Sequence, residues 1–161
     1  PSDAAHNEVD AMSKLYFEDL AVGAEFNSRG RTITDADIRL FIGATGDDHP
    51  HHTDAEYCKK HPVFKRPCAQ GVLVLSVSDT FFAYEIGFNL AFSLNYGHDK
   101  IRYLQPVYDG DTVRSRMRIL SCEPKDETWG RVLVECNVYN QDDELVLINH
   151  QVILAGRRPA P

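Results

Sequence analysis

The sequence lacks the features that mark nucleic-acid-binding and membrane-spanning proteins. Its 17 lysines and arginines are outnumbered by 24 aspartates and glutamates, and the formal net charge is −7. A basic excess that could bind phosphates is therefore missing. No uninterrupted apolar run is long enough to cross a bilayer, and no basic segment followed by an apolar stretch opens the chain. We expect a cytoplasmic protein that binds neither nucleic acid nor a membrane.

Cysteine is also scarce, with four residues and no Cys-x-x-Cys pair, so neither a zinc knuckle nor a redox motif is indicated. The chain has no internal repeat and no low-complexity segment. Its 161 residues, 43% hydrophobic and 25% charged, suffice for one globular domain without disulfides. We predict a polar N-terminal tail over residues 1–14 and a single domain over residues 15–158.

Two short helices are predicted in the first half of the chain. Thr34 caps the first, and Gly46 ends it. A capping box over residues 53–56 opens the second, which Pro62 ends. The polar segment between them, residues 47–52, is predicted to be a loop. The buried face of the first helix is predicted from helical spacing to contain Ile38, Phe41, Ile42 and Thr45.

The longest apolar stretch, residues 71–88, favours by its length a helix that is apolar on most sides and therefore lies at the centre of the fold, although its valines also allow a strand. An earlier strand is predicted over residues 25–33. Later strands are predicted over residues 90–96, 100–104, 112–122, 131–139 and 145–154. This order indicates an α+β domain in which a curled antiparallel sheet wraps the helix. The open edge of such a sheet favours a homodimer.

The segment from Gly46 to His52 concentrates titratable side chains, with two carboxylates and three of the chain's seven histidines. Asp47 and His52 would lie roughly 17 Å apart in an extended chain and would diverge by about 140° on a helix. A tight turn between Gly46 and Pro50 would instead bring both side chains to one water molecule, as a general acid and base pair.

Two other interpretations of this segment stay open. A loop between helices is often polar simply because it is solvated. A metal site is the second alternative, although the His-x-x-x-His spacing of a common zinc site is missing. Its ligands would be Asp47, His49, His51 and His52.

Four blocks of the sequence carry a resemblance to a known family. They are residues 17–23, 45–57, 64–71 and 101–112. In this order they resemble the MaoC-like dehydratases, the (R)-specific enoyl-CoA hydratases, whose signature Gly-Asp-x-Asn-Pro-x-His is matched by Gly-Asp-Asp-His-Pro-His-His at residues 46–52. The resemblance covers the chain from about residue 15 to 155.

The resemblance implies a hotdog fold, a homodimer or dimer of dimers, and hydration of a 2-enoyl thioester or the reverse dehydration. By resemblance, Asp47 and His52 are the catalytic pair, and the backbone amide of Gly71 binds the thioester oxygen. Coenzyme A belongs to the substrate, and no further cofactor is expected. Helix-opening amides and a glycine that permits close approach suit the chemistry of an oxyanion site.

Five further residues are predicted to bind the substrate. His49, His51 and Gln70 depart from the family's Asn, aliphatic residue and His, respectively. His49 is expected to keep a hydrogen-bond donor that shapes the turn. His51 places a polar group where an acyl chain would pack, which favours a short or polar acyl group, such as one with a second carboxylate. Lys65 and Arg66 are expected to meet the CoA phosphates.

Two other functions remain alternatives at this point. Hotdog proteins also hydrolyse thioesters, so an acyl-CoA thioesterase is one of them. The other is a non-catalytic module that binds an acyl thioester without turning it over.

Overall fold

The computed structural model describes residues 14–159. The predicted N-terminal tail lies outside the described residues except for Lys14. The helices are α1 (Asp35–Thr45), α2 (Pro50–Thr53), α3 (Ala55–Lys60) and α4 (Gly71–Glu85). The strands are β1 (Glu25–Asn27), β2 (Arg31–Thr32), β3 (Ser93–Tyr103), β4 (Thr112–Pro124), β5 (Trp129–Tyr139) and β6 (Leu145–Gly156). Short 3₁₀ turns occupy Phe17–Asp19 and Gly87–Asn89.

The strands form one antiparallel sheet in the order β1-β4-β5-β6-β3, and β2 also pairs with β4. The prediction of two strands over residues 90–96 and 100–104 was wrong. Both belong to β3, which crosses the predicted break through two register shifts next to Gly97 and His98. Gly97 has a φ of +149°, which a glycine adopts without strain. The strand predicted over residues 25–33 is likewise divided into β1 and β2.

The boundaries of α1 follow the prediction. Thr34 and Asp37 form a reciprocal capping box, and Gly46 ends the helix in the left-handed region with a φ of +75°. The predicted buried face is only partly confirmed, because Ile38 is buried whereas Thr45 is exposed. Phe41 and Ile42 are partly buried.

The prediction that residues 47–52 form a loop was wrong in its second half. Proline fits the first position of a helix, where its missing N–H has no partner to lose, and α2 begins at Pro50. The cap of α3 is also one residue later than predicted. The carboxylate of Asp54, and not the hydroxyl of Thr53, accepts hydrogen bonds from the amides of Glu56 and Tyr57.

The core lies between one face of α4 and the concave side of the sheet. The N-terminal half of α4 packs in a cluster with Val113, Val138 and Leu147, and the C-terminal half packs in a second cluster with Met117 and Ile153. The α+β prediction of a sheet wrapped around a helix is confirmed.

The helix is not buried on most sides within this chain. One face is buried, but Val72 and Tyr84 are more than half exposed. By length and composition, the segment Gly71–Asn89 has the apolarity of a membrane-crossing helix, with a mean hydropathy of 1.3. In this fold, one face of the helix forms part of the core, and 33% of the apolar window is buried.

The four cysteines are free. Cys58, Cys68 and Cys136 are buried, and Cys122 is partly exposed. Burial raises the pKa of the Cys68 thiol to about 11, and burial also raises the pKa of Cys136. These thiols are therefore protonated at neutral pH and behave as small core side chains.

Candidate active site

His52 is oriented by a backbone carbonyl behind its ring. Its Nδ1 lies 2.7 Å from the carbonyl oxygen of Cys68, and because a carbonyl only accepts, Nδ1 donates and carries the proton. The residue is 8% exposed. In the neutral imidazole, the lone pair is therefore on Nε2, which points away from the carbonyl.

Asp47 faces this second ring nitrogen. Its Oδ2 lies 3.9 Å from Nε2 of His52, which is too long for a direct hydrogen bond. A water molecule about 2.8 Å from both atoms would bridge them. The Asp47 side chain is 47% exposed, so solvent reaches the gap. The turn between Gly46 and Pro50 thus brings the two side chains together, as the spacing argument expects, and their catalytic role stays a prediction.

Gly71 opens α4 and, like His52, lines a cavity of about 340 Å³. The first amides of a helix have no intrahelical acceptor, and the helix dipole makes that end partly positive. A Cβ built on Gly71 would lie 2.9 Å from the ring of Tyr103. The ring covers this position closely, and a side chain at residue 71 would have to displace it.

The remaining walls of the cavity are mainly apolar. Asp47 itself does not line it, but its Oδ2 lies 3.9 Å from Nε2 of His52, which does. Polar groups at the wall come from His51, Tyr103 and Gln105. The apolar part of the wall consists of Val63, Phe64, Ala69, Val72, Val74, Leu104, Pro106, Val107 and Val146.

His51 serves as an aromatic part of this wall. Its ring stacks on Phe64 with centroids 4.9 Å apart and also contacts the rings of His49 and His52 at 4.1 and 4.0 Å. Burial lowers the pKa of His51, and repulsion from the positive charges of protonated His52 and His49 lowers it further. The imidazole is therefore held in its neutral form beside the cavity.

The other residues predicted to bind substrate lie outside the cavity wall. His49 caps α2, where its Nδ1 accepts a long hydrogen bond of 3.4 Å from the His51 amide. It shapes the turn as expected, but as an acceptor and not as the predicted donor. Gln70 is buried behind the wall, and its Nε2 donates to the Asp47 carbonyl at 3.2 Å.

Lys65 and Arg66 are exposed next to the wall residues Val63 and Phe64. The guanidinium of Arg66 stacks over the Tyr108 ring at 4.7 Å and donates to the Asp109 carbonyl at 3.1 Å. Substrate contacts of these two cations stay predictions.

The metal alternative is not supported by the geometry of the histidines. Over residues 14–159, no group of three or more His, Cys, Asp or Glu side chains is arranged to hold a metal ion. The ring of His51 packs against the rings of His49 and His52 in tilted and edge-on contacts.

Several contributors to the site were missed by the sequence argument. Cys68 acts through its backbone carbonyl, for which no side-chain signal exists. Tyr103 lies 32 positions after Gly71 in the sequence, and its ring reaches Gly71 only through the tertiary fold. An aromatic residue inside a predicted strand gave no indication of this contact.

Comparison with known proteins places the whole arrangement in context. A family model described as the MaoC like domain matches residues 19–139. The (R)-specific enoyl-CoA hydratase of Rhodospirillum rubrum is 32% identical over 118 residues, covering 73% of this chain and 78% of that protein. Nodulation protein N of Rhizobium meliloti is 31% identical over 150 residues, covering 90% of each. Protein MaoC of Klebsiella aerogenes is 30% identical over 112 residues, 70% of this chain, and the match spans only 32% of that longer protein.

Solved structures agree with these relatives. The monoamine oxidase regulatory protein from Archaeoglobus fulgius superposes with a TM-score of 0.84 at 33% identity, covering 91% of this chain and 97% of its own. A MaoC-like dehydratase from Rhodospirillum rubrum gives 0.79 at 26% identity, covering 91% and 99%. A Mycobacterium tuberculosis protein described as a double hotdog fold gives 0.74 at 20% identity, covering 92% of this chain and 46% of its own. The predicted hotdog fold is confirmed.

Proposed function

The chain belongs to the MaoC-like domain family, and from this membership we propose that it is a hydro-lyase that adds water to a 2-enoyl-CoA or removes it from a 3-hydroxyacyl-CoA. One observation carries the proposal. Asp47 and His52 face each other across 3.9 Å, and His52 shares a cavity with Gly71 at the start of α4. Relatives named (R)-specific enoyl-CoA hydratase and 3-hydroxyacyl-thioester dehydratase Z support this class of reaction.

Asp47 and His52 act as the general acid and base pair. One water molecule between them donates one hydrogen bond to the carboxylate and another to Nε2 of His52. As the water oxygen bonds to C3 of the enoyl group, one of these protons passes to the pair, and the other stays in the product hydroxyl. The π electrons of the C2–C3 bond move toward the thioester oxygen. The acid formed in the pair then protonates C2, so H and OH are added without any oxidant or reductant.

The developing negative charge on the thioester oxygen is stabilised at the start of α4. The amide of Gly71 can donate a hydrogen bond to this oxygen, and the positive end of the helix dipole adds to the effect. Loss of one such donor in an oxyanion site typically costs about 10²–10³ in kcat. The scheme moves only water and protons, so it requires no metal or redox cofactor.

The cavity favours an uncharged acyl group. Its volume of about 340 Å³ is at the lower end of the range of about 300–1,000 Å³ for ligand pockets. None of the described residues that line it is a lysine or arginine, so it offers no permanently charged cation to a second carboxylate. This lining argues against the dicarboxylic acyl group expected from the sequence. The CoA phosphates would meet exposed cations outside the cavity, with Lys65 and Arg66 as candidates.

We also propose that the chain forms a homodimer through the β3 edge of the sheet. Among the described strands, β3 pairs only with β6, which leaves its other edge open. Leu94 and Tyr96 on this strand are 54% and 59% exposed, as are large parts of Val72 and Tyr84 on α4. Edge pairing with a second copy would satisfy the open backbone groups and cover apolar side chains.

A spectroscopic assay tests the proposed reaction. We expect the purified protein to remove the enoyl-thioester absorbance of an unbranched 2-enoyl-CoA, to give one enantiomer of the 3-hydroxyacyl product, and to release no free thiol. Thiol release with a thiol reagent would instead identify a thioesterase. Tight binding with no loss of absorbance would identify a binding module.

A further inference from the structure

Three of the four residues from Cys68 to Gly71 contribute to the site. The carbonyl of Cys68 orients His52, and Gly71 supplies the first helical amide. Between them, Gln70 occupies the N-cap position but makes no side-chain cap to the helix. Its side chain instead reaches back to the turn before α2, where Nε2 donates to the carbonyl oxygen of Asp47 at 3.2 Å.

Among the described residues, this hydrogen bond connects Asp47 itself to the residue that precedes α4, while α2 is connected to the same segment through the Cys68 amide, which donates to the His51 carbonyl at 3.1 Å. Other hydrogen bonds of the turn stay within the neighbouring sequence. The amide of Asp47 donates to the Thr45 hydroxyl at 3.3 Å, and the amide of Asp48 donates to the Gly46 carbonyl at 3.0 Å. They define the shape of the turn, but they do not determine its distance from Gly71.

Gln70 is poorly suited to a purely structural role. It is 1% exposed, and within residues 14–159 its Oε1 is buried without a hydrogen-bond partner. Turning the amide over would place Oε1 against the Asp47 carbonyl, so the orientation is fixed by acceptor repulsion. A buried acceptor without a donor lowers stability, and an apolar side chain of similar length would pack there without that cost.

We propose that Gln70 is a positioning residue that fixes Asp47 relative to the Gly71 amide. This inference rests on the proposed function, since it concerns the spacing between the water site and the oxyanion site. The segment from Cys68 to Gly71 then positions all the groups of the proposed site, because Cys68 orients His52, Gln70 holds Asp47, and Gly71 binds the thioester oxygen. A displacement of one catalytic group by about 1 Å can lower the rate about 100-fold.

Two variants separate positioning from packing. Gln70→Met removes the donor and the unpartnered oxygen while keeping the length of the side chain. We expect kcat for enoyl-CoA hydration to fall about 10- to 100-fold with little change in KM, while Tm stays the same or rises. Gln70→Glu can donate only when its carboxyl is protonated. Its kcat relative to that of the unmodified protein is therefore expected to fall as pH rises through the pKa of the introduced carboxyl.

Gln151→Met is the matched control, because Gln151 is also buried, at 2% exposed, and lies in β6 outside the cavity wall. Hydrogen–deuterium exchange supplies a readout that does not depend on activity. The amides of Asp47, Asp48 and His49 should exchange faster in Gln70→Met and at the normal rate in Gln151→Met.

The outcomes distinguish this inference from the proposed function. If the unmodified protein hydrates no enoyl-CoA, the proposed function fails, but the exchange measurement still tests whether the Gln70 side chain holds the Asp47 turn in place. Unchanged exchange at the Asp47 turn in Gln70→Met would overturn the inference. If the unmodified protein does hydrate an enoyl-CoA, a normal kcat in Gln70→Met would also overturn the inference. A Gln70→Glu variant whose activity follows the pH profile of the unmodified protein would overturn it as well.

Discussion

At the residue scale, the sequence indicates those contacts that depend on local chain geometry. Gly46 and Pro50 lie close to Asp47 and His52, so their effects on the turn predict that the two side chains meet. The contacts of His52 with Cys68, 16 positions away, and of Asp47 with Gln70, 23 positions away, depend on how distant segments pack. No local pattern encodes those contacts, so the sequence did not indicate that Gln70 contacts Asp47.

Position 71 gives a prediction at this scale. In Gly71→Ala, the new Cβ would lie 2.9 Å from the Tyr103 ring. The ring, which lies next to the proposed thioester site, would therefore have to shift. We expect kcat/KM for hydration to fall about 10- to 100-fold, with the fold retained. Adding Tyr103→Leu should recover part of the loss, because it removes the ring.

Gly43→Ala is the control for this substitution, since a Cβ at Gly43 meets nothing within 4 Å. It should keep normal kinetics. Steady-state rates and Tm of the four proteins provide the comparison. A Gly71→Ala variant with the kcat/KM of the unmodified protein would show that this position does not closely contact the thioester.

At the element scale, predictions succeed where a signal begins or ends the element. The Thr34 cap and Gly46 define α1, and the apolar stretch from residue 71 defines the start of α4. The four-residue α2 has too few residues for a periodic pattern. The long β3 was divided because a glycine inside a strand can mark either a break or a bulge, and only the pairing with β6 decides which.

The interface of α4 with β3 and β6 contains a polar cluster that the sequence did not indicate. The carboxylate of Asp79 lies 3.4 Å from Nε2 of His98 and accepts hydrogen bonds from Asn95 and Asn149. Burial raises the pKa of Asp79, and the attraction of His98 opposes this shift without cancelling it. The folded state therefore retains the Asp79 proton to a higher pH than the unfolded state does.

Stability is accordingly lost as pH rises through the elevated pKa of Asp79. We expect Asp79→Asn to be more stable than the unmodified protein at pH 7 and to have a higher Tm. The difference should shrink toward pH 4, where the native carboxyl is also protonated. Thermal unfolding at both pH values measures it, with the exposed Asp142→Asn as control. A lower Tm at pH 7, or an equal difference at both pH values, would contradict the assignment.

At the scale of the whole molecule, the order of elements predicts the architecture. One long apolar helix followed by strands gives a sheet wrapped around that helix, and the comparisons confirm the hotdog fold. What the pattern does not show is how much of the helix a single chain buries. Val72 and Tyr84 fit an apolar helix in sequence, yet they lie on its outward face. The cytoplasmic location expected from the sequence stays a prediction.

The proposed dimer can be tested on the edge strand. Charged side chains on an edge prevent strand pairing, so the double variant Leu94→Lys with Tyr96→Lys should be monomeric. Leu40→Lys, on the exposed surface of α1 where Leu40 is 73% exposed, should leave the assembly unchanged. Sedimentation velocity distinguishes these states. A dimer that persists in the double variant would place the contact elsewhere.

The central claim is that Asp47 and His52 act on one shared water molecule, and a double-mutant cycle on the hydration rate tests it most directly. Asp47→Asn and His52→Gln should each lower kcat by about 10²–10⁴ with little change in Tm. Because substitutions of residues that act together have strongly non-additive effects on the rate, the double variant should be scarcely slower than the slower single variant. Losses that multiply in the double variant, or near-normal rates in either single variant, would contradict the shared water.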